Sequence, residues 1–227
     1  MSDSHHDWSV NELFAPVWLD GETCACTEGV NKPFNAGTFV KLAKSTAFGT
    51  GGHPITQNVF AELKEMILGD DRCLHDRERT LGGPRILEVD AGSGVLLFLS
   101  KKLRPTLQAA AVLATEDSDT IERNRKKNKI RQLEIIPFYQ FGSTHSYYNL
   151  HEKAFDLIFT QRGQECWEIS FDATLAYLHH CLAPTGKLIY AGIPPAELPL
   201  AKHVFGEFFR VLKVTTHQDC PVLVGEH

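Results

Sequence analysis

Apolar residues recur in this chain with two periods, and the switches between them mark out the elements. From Thr56, residues Val59, Phe60, Leu63, Met66 and Ile67 return every third or fourth position, which is one face of a helix. Thr56 is placed to cap its start and Gly69 to stop it. Residues 70–84 are charged and rich in Arg, Asp and Gly, which suits a surface loop. Beyond them, short apolar runs predict strands over 86–89, 109–115, 133–138, 155–160 and 187–191. Helical patterns fall between them at 95–103, 119–128 and 171–182. Continuous apolar runs alternating with helices predict a mostly parallel α/β sheet covered on both faces. The last runs, 211–216 and 222–225, are joined by five residues, too few for a crossover helix, so they pair as an antiparallel hairpin.

The amino-terminal stretch lacks such a rhythm. Residues 1–44 carry Trp8, Phe14, Trp18, Phe34 and Phe39 without helical period, and Val40-Lys41-Leu42 alternates like a strand. They read as an arm or small β element, too poor in apolar residues for its own core, ahead of a main domain over 45–227.

Composition narrows the class. Of 227 residues 43% are hydrophobic and 22% charged, ordinary globular values. No run approaches the roughly 20 apolar residues of a membrane span, and the start lacks the features of an export signal, so a cytoplasmic protein with thiol cysteines is expected. Cys24-Ala-Cys26 has the wrong spacing and no second ligand pair, so no metal is expected. The formal charge is −5, and the basic cluster Arg123, Arg125, Lys126, Lys127 and Lys129 lies on one helix and its following turn. Such a cluster reads as a solvated face, which disfavours nucleic acid as a partner. His179-His180 ends a predicted helix, where the dipole favours cations.

Three motifs carry candidate chemistry. The first, Ile86-Leu87-Glu88-Val89-Asp90-Ala91-Gly92-Ser93-Gly94, is a strand running into a glycine turn before a helix. Open α/β sheets bind cofactors at that edge, and Glu88, Asp90, Gly92 and Gly94 are its candidate cofactor contacts. A dinucleotide fingerprint needs a small residue three positions after Gly94, where Leu97 stands, so NAD and an oxidoreductase are disfavoured. The second, Thr115-Glu116-Asp117, ends the next strand and offers Glu116 to the ribose hydroxyls of an adenosine cofactor. The third, Phe48-Gly49-Thr50-Gly51-Gly52-His53-Pro54-Ile55-Thr56, combines glycines, hydroxyls and a helix start into a loop suited to a carboxylate or phosphate.

With this third motif the chain resembles the methyltransferase family that modifies large-subunit ribosomal protein eleven, whose signature is Phe-Gly-Thr-Gly-x-His-Pro-x-Thr. The resemblance implies a class I, Rossmann-like methyltransferase fold: a doubly wound, mostly parallel seven-stranded sheet with an antiparallel last strand. It implies S-adenosylmethionine as cofactor, with Phe48, Gly49, Thr50, Gly51, His53 and Thr56 lining its site. The implied activity is S-adenosylmethionine-dependent methyl transfer (EC 2.1.1.-), N-methylating a protein or small-molecule amine. Two departures stand out. Asp90 replaces the first glycine of the family's cofactor turn, and Thr160-Gln161-Arg162-Gly163 replaces its Asn-Ile-Leu segment. Gln161 still presents an amide, the candidate for orienting the acceptor amine and for touching the cofactor. These departures motivate an alternative, a catalytically silent S-adenosylmethionine-binding module. The family's amino-terminal substrate domain has no counterpart of adequate length before Lys44, so the acceptor does not carry over.

Overall fold

Strand β1 (Arg85–Val89) and strand β4 (Phe155–Thr160) are buried almost throughout, because each lies inside a sheet covered on both faces. The computed structural model describes residues 54–69, 74, 83–89, 91, 94–113, 118–127, 129–137, 152–160, 171–217 and 220–227. Seven strands form one sheet, adding β2 (Gln108–Leu113), β3 (Leu133–Pro137), β5 (Leu182–Ala191), β6 (Arg210–His217) and β7 (Cys220–Glu226). Their order is β3-β2-β1-β4-β5-β7-β6. The first five run parallel, and β7 lies antiparallel between β5 and β6, as the short connection before it requires.

Helices cover the two faces. Helix α1 (Pro54–Leu68), helix α2 (Val95–Leu103) and helix α3 (Ser118–Lys127) share one core with Ile86, Phe159, Ile189 and Val224. Helix α4 (Phe171–Cys181) and helix α5 (Leu198–Phe208) close the other over Leu87, Val112, Tyr190 and Leu223. Successive strand residues alternate between these cores, which is the period-2 rule at work. Gly225 of β7 permits the second core, since a Cβ there would stand 2.4 Å from the Phe205 ring of α5. Helix α1 is pinned to the sheet from outside by Lys213 of β6, whose Nζ donates to Glu62 at 3.0 Å and Glu65 at 3.1 Å. Those carboxylates, Glu62 foremost, hold the lysine above its ordinary pKa.

Several expectations need correction. Helix α1 begins at Pro54, so Thr56 sits inside its first turn and does not cap it. Proline suits that first position because its missing N–H would have had no intrahelical partner. Gly69 ends the helix as expected, its N–H reaching the Glu65 carbonyl at 2.9 Å. The stretch read as a surface loop contains Leu74, fully buried, whose carbonyl accepts from Arg104 at 3.2 Å. Strand β5 starts at Leu182, directly after α4, not at Lys187. Helix α5 was not expected at all, although Ala201, Phe205 and Phe209 turn one buried stripe inward. His179 and His180 lie in the last turn of α4 as expected, the His179 ring stacks on His227 at 4.0 Å, and burial foremost, with His227 and His180, lowers the His179 pKa. Burial pushes the Cys181 thiol up to about 12, which leaves it unreactive. No helix among the described residues is long and apolar enough to cross a membrane.

Candidate cofactor site

The sheet reverses its winding between β1 and β4, because β2 and β3 lie on one side of β1 while β4 and β5 lie on the other. Such a switch point leaves a crevice at the carboxyl ends of the strands. Val89 closes β1 level with Val112 of β2 and Thr160 of β4, so three strand ends meet there. Thr160 itself is buried.

From Val89 the backbone stays with β2 for one more bond, Ala91 N–H to the Val112 carbonyl at 2.9 Å, and then turns. Gly94 N–H donates back to the Ala91 carbonyl at 2.8 Å, and α2 starts at the next residue. Gly94 has φ 77°, a left-handed conformation that an L side chain resists by roughly 1–2 kcal/mol. A Cβ here would also stand 3.0 Å from Ile121 of α3 and from the Phe98 ring. Glycine is therefore required twice, for the turn and for the approach of α2 to α3. It delivers the amino end of α2, with its outward backbone N–H groups and positive dipole end, to the carboxyl edge of the sheet.

Glu88 completes the turn. It is the one acid in β1 and is fully buried, and its carboxylate accepts the Leu97 N–H at 3.3 Å. A carboxylate tied to the third residue of a helix satisfies an end donor and complements the dipole. The side chain of Leu97 is itself wholly buried in the core, which explains why a leucine stands where a dinucleotide turn would have a small residue.

Of the expected site residues, the structure brings Glu88 and Gly94 together in this turn. Thr56 lies in the first turn of α1, its side chain outside the described residues. Phe48, Gly49, Thr50, Gly51, His53, Asp90, Gly92, Glu116 and Gln161 also lie outside the described residues. The second core acid, Asp156 of β4, was not singled out from sequence. It is 1% exposed and accepts the Arg85 N–H at 2.8 Å, at the amino edge of the sheet. An acid in the middle of an apolar run, as in Phe155-Asp156-Leu157, was the signal that could have found it.

A family model described as Ribosomal protein L11 methyltransferase (PrmA) matches residues 3–219 of the chain. The ribosomal protein L11 methyltransferase of Lactobacillus johnsonii (strain CNCM I-12250 / La1 / NCC 533) is 28% identical over 212 residues, covering 92% of this chain and 56% of that protein. That of Prochlorococcus marinus (strain MIT 9301) is 21% identical over 216 residues, covering 91% of this chain and 60% of that protein. The chain thus spans little more than half the length of these curated relatives. Among solved structures, the precorrin-6y C5,15-methyltransferase of Geobacter metallireducens GS-15 aligns with a TM-score of 0.55 at 14% identity, over 74% of this chain and 87% of that one. At that identity the likeness speaks for the fold.

Proposed function

Because the chain belongs to the ribosomal protein L11 methyltransferase (PrmA) family, we propose that it is an S-adenosylmethionine-dependent methyltransferase that N-methylates a protein, ribosomal protein L11 in the finer reading. The observation that supports the proposal most is the left-handed glycine at Gly94, which aims the amino end of α2 at the switch point of the sheet.

The residues of this chain suit that cofactor. Backbone N–H groups at the amino end of α2 suit its methionine carboxylate, and Glu116, after β2, supplies the acid for its ribose hydroxyls. The resemblance assigns to the same cofactor Phe48, Gly49, Thr50, Gly51 and His53, which precede α1 in sequence, and Thr56 in its first turn. Asp90 and Gly92 belong to the turn itself, and Glu88 holds its shape through Leu97. When bound, S-adenosylmethionine supplies a methyl group already activated by its sulfonium, so the protein mainly orients the partners and excludes water. The acceptor amine has to lose its proton, which a desolvated site favours by lowering its pKa. Gln161, directly after β4, is the group proposed to orient that amine.

Calorimetric titration of the full chain with S-adenosylmethionine, S-adenosylhomocysteine and NAD tests the cofactor. Selective binding of the first two is expected, and binding of NAD alone would overturn the reading. Transfer of a tritiated methyl group to purified ribosomal protein L11 then tests the activity. Cofactor binding without transfer to that protein or to any protein of a cell extract would favour the silent module.

A further inference from the structure

The turn between α3 and β3 holds a cost that its own sequence could have avoided. Helix α3 ends in a double hydrogen-bonded cap: Ile130 N–H donates to the Arg125 carbonyl at 3.0 Å, and Lys129 N–H to the Lys126 carbonyl at 3.1 Å. In such a cap the residue at the Lys129 position is left-handed, and glycine or asparagine is the ordinary choice. Lys129 takes φ 54° there, and Gln132 repeats the strain three residues later at φ 59°. A glycine at either position would relieve it. The turn is also locked in place, with Ile130 buried and Arg125 tied both to Glu122 at 2.9 Å and to the Ile130 carbonyl at 3.3 Å.

Helix α3 and the turn after it display Arg123, Lys126, Lys129 and Arg131, all exposed, on a chain whose formal charge is −5. The nearby acids are Asp119, Glu122 and Glu134, the second paired with Arg125 and the third with Arg85. Directly after Arg131 the chain lines an open cavity of about 370 Å³ with Gln132 and Glu134, joined by Arg85 and Gln108 from the neighbouring strands. Glutamine amides both donate and accept, which matches the mixed donor and acceptor edges of nucleobases. Strain kept at residues that carry a surface's chemistry points to function.

We propose that the α3–β3 turn and its cavity form a docking surface for single-stranded nucleic acid, with Arg123, Lys126, Lys129 and Arg131 on its phosphates and the two glutamines toward a base. This reverses the solvated-face reading of the same residues and stands independently of the proposed methyl transfer, since the turn lies at the amino edge of the sheet, away from Gly94.

Fluorescence anisotropy of the full chain with a labelled RNA 20-mer, and with DNA of the same sequence, tests it. With four phosphate contacts, affinity should fall about 50-fold between 50 and 200 mM salt, from about 0.7 counterion released per contact. A variant combining Arg123→Gln, Lys126→Gln, Lys129→Gln and Arg131→Gln should lose most of both the binding and the salt dependence while keeping its circular dichroism. Lys129→Gly separates the roles: it should melt at the same or a higher temperature yet bind less tightly. Unchanged affinity in the fourfold variant would overturn the proposal, as would tighter binding of poly-glutamate or of phosphatidylserine vesicles than of either oligonucleotide.

Discussion

Two buried carboxylates on adjacent strands show how differently the two edges of this sheet are built. Asp156 closes the amino edge: it takes the Arg85 N–H at 2.8 Å, while Gln108 N–H donates to the Pro84 carbonyl at 2.8 Å. Arg85 itself lies over the Phe155 ring at 4.8 Å and pairs with Glu134. Nearby, the Lys101 ammonium is turned onto the carbonyls of Pro105 and Leu107, and burial lowers its pKa. Glu88 works at the other edge, where it holds a helix beginning behind a left-handed glycine. Along β2, β1 and β4 the amino edge ties its strand starts to groups of the chain itself. At the carboxyl edge a left-handed glycine turns the N–H groups at the start of α2 outward, where the proposed cofactor would take them.

This contrast can be challenged at both ends. Gly94→Val should cost most, about 3 kcal/mol, from the left-handed backbone and the crowding against Ile121 and Phe98 together. Urea unfolding measures it, and a loss below about 1 kcal/mol would mean the turn relaxes freely. Asp156→Ala should cost about 2 kcal/mol by leaving the Arg85 N–H without its acceptor, yet leave S-adenosylmethionine affinity unchanged. Glu88→Gln should do the reverse, costing about 1 kcal/mol through the lost charge at the helix end and lowering cofactor affinity about tenfold. If calorimetry found equal affinities in these two variants, the edges would not divide the labour as described.

Two smaller effects concern groups remote from the turn. Lys213→Ala should destabilise by about 0.5 kcal/mol, since the ammonium is partly exposed and water screens its pairs with Glu62 and Glu65. That loss should shrink further in high salt. His179 has a folded pKa below its ordinary 6.5. Its contribution is therefore intact above about pH 6.5 and is lost as pH falls through that value, when the unfolded chain takes the proton first. A urea midpoint that drops between pH 7 and pH 5 in the parent, and drops less in His179→Gln, is the expected outcome.

Much of the fold was legible because period and length are local properties. The bounds of α2 and β4 were read directly from the spacing of leucines and phenylalanines, and the hairpin followed from a connection too short for anything else. Leu97 stood out in the sequence as too large for a dinucleotide turn, and its side chain fills the core. Helix α5 escaped notice because Pro195 and Pro199 flank its start and its stripe is short. For the site, sequence supplied Glu88 and Gly94 as candidates but not the job of the acid, since a carboxylate in an apolar strand does not reveal which N–H it meets. Thr56 was misplaced by two residues because a hydroxyl and a proline compete as start signals.

Residue order alone therefore carried the strands and every helix but α5, the antiparallel finish and the need for glycine before α2, all of which depend on neighbours a few positions apart. Which strand lies beside which, which edge each buried acid serves, and that Lys129 and Gln132 stand in left-handed backbone were decided by the folded chain. Those features join residues far apart or trade local strain against distant packing, and no local period records such a trade.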